Sequence, residues 1–340
     1  MLEPVVQGLG VVWGMSFLSE SQLLVTERSG AVRLIDTETA QITPLGNVPD
    51  VLAEGQGGML DVARSPDYSK DGWIYFTYVK ALEGGGATVL ARARLFGKGF
   101  TGWQELLVTK SATETDYHFG SRIAFDEKGH VFFTLGDRGV RENAQNLGNH
   151  AGSIMRLNMD GSIPRDNPFS KNKQLLAEVW SYGHRNPQGL VYDVKYKRLW
   201  SIEHGPRGGD EINLIKPGAN YGWPVISYGK EYWAPIAVGE GTHRKGMEQP
   251  LKVYTPSIAP GSLLLYTGNA LPGWKGNLFS GALSLQHLNR VAVSQQGALL
   301  KEERLLESLE ERIRGLAQSP QGWLYFSVDS GKIFRLRPAE

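Results

Sequence analysis

The sequence predicts an all-β protein, a six-bladed β-propeller built of four-stranded antiparallel blades. Three observations predict this fold: a motif that recurs six times, a high glycine content, and a near absence of helical patterns. Glycine accounts for 42 of the 340 residues, about 12% against an average of ~7%, which is typical of a chain with many tight turns. Because a propeller divides its core between blades, one domain spanning residues 1–340 can exceed the size of about 250–300 residues at which a single core stops growing.

The recurring motif is a polar turn followed by a short strand rich in β-branched and aromatic residues. Its copies are SQLLVTE from Ser21, DGWIYFTY from Asp71, KGHVFFTLGD from Lys128, KRLWSIEHG from Lys197, KGNLFSGAL from Lys275 and QGWLYFSVD from Gln321. Such a unit cannot bury both faces of its strands alone, so neighbouring units must stack. Six units at intervals of roughly 45 to 80 residues therefore predict one blade each.

Helical patterns are almost missing. The one convincing helical segment is LLKEERLLESLEERIRG, from Leu299 to Gly315, and its last part fits a loop better. A doubly wound α/β fold would need many helices between its strands, and the sequence lacks them.

Composition excludes several classes of protein. With 36 basic and 35 acidic residues and no basic block, a nucleic-acid partner is not expected. No apolar run approaches ~18 residues, so no membrane span is expected. The absence of cysteine excludes disulfides, thiolate metal sites and cysteine nucleophiles. No signal peptide is visible at Met1, which leaves open whether the protein is cytosolic or had a leader removed.

A histidine and an aspartate within one repeat could form a catalytic pair. His118, in DYHFGSRIAF, begins a predicted strand and would face the mouth of the channel. Histidine is the natural general base because its ordinary pKa lies near neutrality. Asp137, in TLGDRG, ends the outgoing strand of the same repeat and could orient the imidazole. A purely structural histidine is the alternative.

Arginines near strand starts indicate an anion site. Arg312 and Arg314, in ERIRGL, fall on the same face of a strand by alternation. Two arginines aimed at one place repel each other unless an anion joins them, and arginine suits carboxylates and phosphates. The alternative is a set of surface ion pairs with Glu310 or Glu311.

Three further polar residues occupy comparable places in other repeats. Arg185 and Asn186, in YGHRNPQGL, precede a turn-forming proline and so begin a strand. Gln56, in EGQGGMLDV, is flanked by glycines that permit the close approach of a ligand. Each signal is weak alone, and their shared position in the repeats is what indicates one site.

Hard oxygen ligands lie in EHGPRGGDEINLI, from Glu203 to Ile215. Backbone carbonyls of a Gly-Pro turn, with Asp210 and Glu211 nearby, suit calcium. The alternative is a solvated acidic loop, since no EF-hand pattern is present.

The longest insertion is Ser227–Pro250, which contains Tyr228, Tyr232, Trp233 and His243. Long loops on a rigid scaffold usually carry function. Its aromatic residues could form the walls of a site for a flat ligand or could cover the edge of a blade.

Several of these segments together resemble one family. HFGSRIAFDEKGHVFFTLGDRG, SYGHRNPQGL, EHGPRGGDEINLIKPGANYGWP and RIRGLAQSPQGWLYF are similar to the soluble quinoprotein glucose/sorbosone dehydrogenases, and most similar to the compact aldose sugar dehydrogenases. The resemblance runs from VWGMSFL, near the start, to the last predicted strand.

The resemblance implies a six-bladed propeller that oxidises aldose sugars to lactones with pyrroloquinoline quinone (PQQ) and Ca²⁺, and passes the electrons to an external acceptor. It also implies export to the periplasm, with a cytoplasmic location left open, and a monomer or homodimer. The catalytic residues would be His118 as the base, Asp137 as its partner and Arg185 near the reacting carbonyl. The cofactor-binding residues would be Gln56, His118, Arg185, Asn186, Tyr232, Arg312 and Arg314. The metal ligands would be the carbonyls of Gly205 and Pro206 for the cofactor-bound calcium, and Glu211 and Tyr221 for a second, structural calcium.

The chain departs from the family at one point. A lysine near the quinone is typical after the fifth-repeat strand, whereas here that segment reads GALSLQHLNRV, with Ser284 and Gln286 in its place and Arg290 as the nearest cation. Loss of a cation beside an anionic quinone should weaken cofactor binding.

Two other functions remain open at this point. One is a metal-dependent hydrolase of the lactonase type, against which the clustered arginines argue, because a neutral lactone needs no set of cations. The other is a propeller that has lost its cofactor and acts as a binding module, which only the missing lysine supports.

Overall fold

The computed structural model describes residues 1–339, which form six four-stranded antiparallel sheets arranged as the blades of a propeller. The predicted all-β, six-bladed fold is confirmed. The strands, in chain order, are β1 (Leu2–Val6), β2 (Val12–Phe17), β3 (Gln22–Glu27), β4 (Val32–Asp36), β5 (Ile42–Leu45), β6 (Met59–Arg64), β7 (Trp73–Leu82), β8 (Gly85–Phe96), β9 (Gly99–Val108), β10 (Ile123–Phe125), β11 (His130–Leu135), β12 (Ser153–Asn158), β13 (Val179–Tyr182), β14 (Pro187–Asp193), β15 (Arg198–Glu203), β16 (Asp210–Ile215), β17 (Lys252–Tyr254), β18 (Leu264–Leu265), β19 (Leu278–Ala282), β20 (His287–Val293), β21 (Leu299–Leu305), β22 (Ile313–Gln318), β23 (Leu324–Val328) and β24 (Lys332–Leu336).

Five blades are built from consecutive strands, in the orders β2 to β5, β6 to β9, β10 to β13, β14 to β17 and β18 to β21. The sixth has the order β22-β23-β24-β1, so the first strand of the chain completes the last blade. Leu2 lies opposite Leu336 and Glu3 opposite Arg335, and Glu3 also pairs with the Arg335 guanidinium at 2.6 Å. This pairing joins the two ends of the chain and closes the ring.

The six copies of the sequence motif form the second strand of each blade, namely β3, β7, β11, β15, β19 and β23. This strand lies inside its sheet and between neighbouring blades, so it is buried on both faces. In β11 all six residues are buried. A strand buried on both faces appears in the sequence as a short continuous apolar run, which is why this strand repeats visibly while the others do not.

The predicted helix at Leu299–Gly315 is wrong. Leu299–Leu305 is strand β21, and only Glu307–Leu309 forms a 3-10 turn. The segment pairs with β20, where Leu288 lies opposite Leu305. Because it is an outer strand, its charged residues are exposed, and their spacing resembles that of an amphipathic helix. Tertiary pairing therefore overrides the local helical preference. Apart from the 3-10 turns Glu307–Leu309 and Arg141–Gln145, the described residues contain one helix, α1 (Tyr68–Asp71), and nothing in residues 1–339 offers a helix long and apolar enough to cross a bilayer.

The hydrophobic core is divided among the junctions between blades. Phe17 of the first blade meets Tyr325 of the last edge to face, with ring centroids 4.9 Å apart. Tyr75 and Phe125 do the same between the second and third blades at 5.1 Å. Because every blade is packed on both sides, the loops at the channel mouth stand on a rigid base.

A buried arginine ties the blades together at the centre. The Arg122 guanidinium donates to the carboxylate of Asp61 at 3.0 Å and to the carbonyls of Trp13 and Gln188 at 2.9 Å each, and also to the carbonyl of Gly261. Its side chain also lies 4.0 Å from the centre of the Trp13 ring. These four partners belong to four different parts of the ring, so one side chain fixes the base of the candidate site.

Candidate active site

His118 and Asp137 are in direct contact at the channel mouth. Nδ1 of His118 lies 2.6 Å from Oδ1 of Asp137. The same carboxylate accepts hydrogen bonds from the Gly139 backbone and from Nε1 of Trp223, at 2.8 Å each. Three donors therefore fix a buried carboxylate against the imidazole, as the sequence predicted for the pair without identifying the indole.

The backbone around His118 is adapted to this contact. His118 has φ +60°, a left-handed conformation that is uncommon for a residue with a side chain. Its backbone N–H donates to Oε1 of Gln56 at 2.9 Å. Gly136 is required beside it, because a Cβ there would overlap the His118 carbonyl. The loop before β10 is thus held in place by the glycine-flanked Gln56 and by the end of β11.

The electrostatics favour a neutral imidazole near neutral pH. Burial lowers the pKa of His118 below its ordinary value, the Asp137 carboxylate opposes this, and the charge of Arg185 adds to the lowering. Burial raises the pKa of Asp137, but its hydrogen bond with His118 and the adjoining positive charges outweigh this and leave the pKa below its ordinary value. Because an ionised carboxylate only accepts, Nδ1 of His118 carries the proton and Nε2 is free to act as a base.

Arg185 is held at the start of β14. Its guanidinium Nη1 donates to the carbonyls of Gly205 at 2.8 Å and His204 at 3.3 Å, and its backbone N–H donates to the Glu203 carboxylate at 2.8 Å. The guanidinium also lies 5.4 Å from the centre of the Trp223 ring. Arg185 thus lies between the His118–Asp137 pair and the predicted calcium ligands.

Arg312 and Arg314 share a partner that the sequence did not reveal. Both bind the carboxylate of Asp329: Nε of Arg312 at 2.9 Å, and Nε and Nη2 of Arg314 at 2.6 and 2.9 Å. The alternative of ion pairs with Glu310 or Glu311 is not found among the described residues; Glu311 pairs with Lys332 instead. An internal anion thus already joins the two arginines, and any ligand would meet their remaining positive charge.

A cavity of about 650 Å³, including space open to solvent, lies at the channel mouth, and His118, Asp137 and Arg185 are not among the residues that line it. Four predicted residues line it, namely Gln56, Asn186, Arg312 and Arg314, together with Trp13, Arg28, Phe119, Gln188, His204, Ala259 and Leu283. Oδ1 of Asn186 accepts from the Gly120 backbone at 3.2 Å and from Gln188 at 3.1 Å, so Asn186 also holds the loop that carries His118.

Arg28 and His204 are cavity residues that sequence reasoning missed. Arg28 directly follows β3 and His204 directly follows β15, the position that Asp329 holds after β23. The signal was present in the repeats, because the end of the second strand reaches the channel mouth in each blade. Nε2 of His204 donates to the Pro260 carbonyl at 2.7 Å. Burial lowers the pKa of His204 to about 3, so its imidazole lines the cavity in the neutral form.

A smaller cavity of about 270 Å³ adjoins the first and is lined by Arg185, Gly205, Pro206, Glu211 and Tyr221. The predicted calcium ligands are thus near one another and near the His118–Asp137 pair. In residues 1–339 no group of three or more histidine or acidic side chains could hold a metal ion. Any cation here would need backbone carbonyls as well as carboxylates.

Two carboxylates face each other in this smaller cavity. Glu203 and Glu211 lie opposite each other on β15 and β16, and Nδ2 of Asn213 bridges them at 3.2 and 3.3 Å. Burial, and then the charge of Glu203, raise the pKa of Glu211 to about 8. A cation would relieve this repulsion, and the hard oxygen donors suit calcium.

The other predicted ligands have partners of their own. The Pro206 carbonyl accepts from the Gly209 backbone at 3.1 Å and from Ser257 at 3.2 Å. The hydroxyl of Tyr221 donates to the Leu214 carbonyl at 2.7 Å and accepts from the Lys216 backbone at 2.9 Å. The Pro206 carbonyl thus already accepts two hydrogen bonds and would have to give up one of them to bind a metal. The Gly205 carbonyl accepts a side-chain hydrogen bond from Arg185, and the Tyr221 hydroxyl uses its proton and one of its two lone pairs.

Tyr232 lies farther out. Its side chain is 66% exposed and lines a third, open cavity together with His204, Gly205 and Ser284. Tyr232 therefore borders the site at its rim.

Arg290 does not replace the missing lysine. Its guanidinium binds Glu303 at 2.6 Å and the Gly273 carbonyl at 2.9 Å, between β20 and β21 and away from the residues that line the cavities. Arg290, the cation nearest in sequence to Ser284 and Gln286, thus binds Glu303 and Gly273 instead of facing the cavities.

Comparisons with known proteins identify the family of this chain. The model of the family described as Glucose / Sorbosone dehydrogenase matches residues 9–335. The aldose sugar dehydrogenase YliI of Escherichia coli (strain K12) is 37% identical over 334 residues, which cover 96% of this chain and 90% of that protein.

Solved structures show the same relationship. The apo-form of the soluble aldose sugar dehydrogenase (Asd) from Escherichia coli is 34% identical and superposes with a TM-score of 0.95, covering 100% of this chain and 99% of its own. The PQQ-bound form of the aldose sugar dehydrogenase (Adh) from Streptomyces coelicolor is 27% identical, with a TM-score of 0.82 over 99% of this chain and 98% of its own.

Proposed function

The chain belongs to the glucose/sorbosone dehydrogenase family of sugar oxidoreductases, and we propose that it oxidises aldose sugars to lactones with PQQ and Ca²⁺. The observation that carries this proposal is the His118–Asp137 pair at 2.6 Å beside a cavity lined by arginines. A base next to an anion-binding cavity suits removal of a hydroxyl proton close to an anionic cofactor.

The residues present fit both groups. Arg312, Arg314 and Gln56 offer donors to the carboxylates of a quinone. The carbonyls of Gly205 and Pro206 could bind the calcium that accompanies it, and the repelling pair of Glu203 and Glu211 favours a second cation. Asn186 and Tyr232 belong to the proposed cofactor site through the cavities that they line.

The chemistry of the protein's own side chains follows from their geometry. We assign Nε2 of His118 to accept the proton of the hydroxyl on the anomeric carbon, while Asp137 stabilises the resulting imidazolium. Arg185 stabilises negative charge that develops at the reacting oxygen. When bound, the quinone with its calcium supplies the acceptor for the hydride of that carbon. The sugar thus loses a proton and a hydride to become a lactone, and the electrons leave to an external acceptor.

A cofactor titration tests this function. Calcium-loaded apo-protein is titrated with PQQ, and the absorbance is followed when glucose or another aldose is added with a dye as electron acceptor. We expect saturable binding followed by sugar-dependent reduction of the dye. Hydrolysis of a lactone without quinone would favour the hydrolase, and no quinone binding at micromolar concentration would favour the binding module. Export to the periplasm, and a monomeric or homodimeric state, are proposals that rest on the family.

A further inference from the structure

The cavity has fewer free positive charges than its arginines indicate. Arg312 and Arg314 both bind Asp329. Burial raises the pKa of Asp329, but the two guanidinium groups outweigh this and leave the pKa below its ordinary value, so the carboxylate is ionised. Two cations and one anion leave a single net positive charge at this wall, which is little for a quinone with three carboxylates.

A third arginine, Arg28, lines the same cavity. Arg28 borders it together with Gln56, Arg312 and Arg314. Within residues 1–339 its side chain takes part in no hydrogen bond and no ion pair, whereas every other arginine of that cavity is engaged. An unpaired cation beside two paired ones is the arrangement that an incoming anion would complete.

The backbone fixes where this arginine stands. The N–H of Arg28 donates to the Val11 carbonyl at 2.9 Å, and its carbonyl accepts from the Met59 backbone at 3.2 Å. Gly58 makes the close approach possible, because a Cβ there would overlap the Arg28 carbonyl and lie 3.1 Å from its Cγ. A glycine at position 58 is therefore needed for Arg28 to lie at the mouth of the channel.

We propose that Arg28 is the third cation of the cofactor site and binds a carboxylate of the quinone, in place of the lysine that is missing from the segment with Ser284 and Gln286. The inference rests on the proposed function, because it presumes that an anionic quinone enters this cavity. Arginine suits the role because its planar group can bind a carboxylate with two hydrogen bonds. Arg290 is ruled out for it by its bonds to Glu303 and Gly273.

The test measures the Kd of PQQ for calcium-loaded protein by quenching of tryptophan fluorescence, without any turnover. R28Q should raise the Kd about tenfold or more, the effect of losing one charge-assisted hydrogen bond. R28K, which keeps the charge, should raise it less and provides the comparison should R28Q not fold. The control is R165Q, since Arg165 is exposed and lies outside the cavity; its Kd should equal that of the wild type.

A second ligand distinguishes the contribution of the PQQ carboxylate charges to binding from that of the shape of the quinone. The trimethyl ester of PQQ lacks the anionic carboxylates, so it should bind R28Q and wild type equally. Saturable PQQ binding with the same Kd in R28Q, R28K and wild type overturns the role of Arg28 and leaves the proposed function standing. If wild-type protein does not bind PQQ at all, the proposed function fails, and the inference fails with it.

Discussion

Nε1 of Trp223 donates a hydrogen bond to Oδ2 of Asp137 at 2.8 Å. The two residues are 86 positions apart in the chain, and Oδ1 of the same carboxylate is taken by His118 and the Gly139 backbone. The indole therefore prevents the carboxylate from rotating and so fixes the plane in which it meets the imidazole. This contact extends the His118–Asp137 pair to a unit of three residues.

Trp223→Phe should lower kcat about tenfold, because Asp137 loses the donor that holds its second oxygen and His118 is then less well oriented. The aromatic packing is kept, so the unfolding temperature should change little compared with kcat. Steady-state kinetics and thermal unfolding check this. Trp103→Phe is the matched control, since it also removes one indole hydrogen bond, to the Asn47 carbonyl, but away from the site; an equal loss of kcat in both variants would argue against a role for Trp223.

His118→Ala should leave PQQ bound but lower turnover by about 10²-fold or more, because the proposed general base is lost. The measurement pairs a quinone titration with steady-state oxidation of an aldose. Near-normal turnover in this variant would remove His118 from the role of base.

Asp137→Asn should shift the pH profile of kcat/KM toward lower pH and lower its plateau. In the proposed mechanism activity needs neutral His118, so it should rise with pH through the pKa of the imidazole, which burial places below its ordinary value. The Asp137 carboxylate raises that pKa, so its removal lowers the pKa further. A profile from pH 4 to 8 checks this, and a shift to higher pH would show that another group limits the reaction.

Glu211→Gln should abolish most of the stabilisation by calcium. In the wild type, calcium at about 100 times its Kd should add about 2.7 kcal/mol to the free energy of unfolding, or roughly 4 °C in Tm for a chain of this size. The variant loses both the metal ligand and the repulsion with Glu203, so its Tm should hardly respond to calcium. Thermal unfolding with calcium and with EDTA measures both; a full calcium response in the variant would place the metal elsewhere.

Arg122→Met should lower the free energy of unfolding by about 3–5 kcal/mol, because Asp61 is left buried without its partner. Urea unfolding gives the value. Adding Asp61→Leu to this variant should recover part of the loss, since it removes the unpaired carboxylate. Additive losses in the double variant would contradict the coupling of the two residues.

Much of the fold could be predicted from the sequence because the second strand of each blade is buried on both faces. Its continuous apolar run therefore repeats from Ser21 to Gln321. The same reasoning mispredicted Leu299–Leu305 as a helix. This segment is an outer strand with an exposed face, and its pattern of charged and apolar residues fits a helix equally well. Only its pairing with β20 decides the conformation.

The sequence by itself determined the propeller and the family, since these follow from a motif that recurs six times and from segments spread along the whole chain, and it predicted the pairing of His118 with Asp137 within one repeat. The tertiary structure alone decided which charges meet at the channel mouth. Asp329 joins Arg312 and Arg314, Trp223 holds Asp137, and Arg28 lines the cavity beside them. These contacts arise from ring closure, which brings the strand ends of different blades together, and no periodicity along the chain encodes which side chain will then lie beside which.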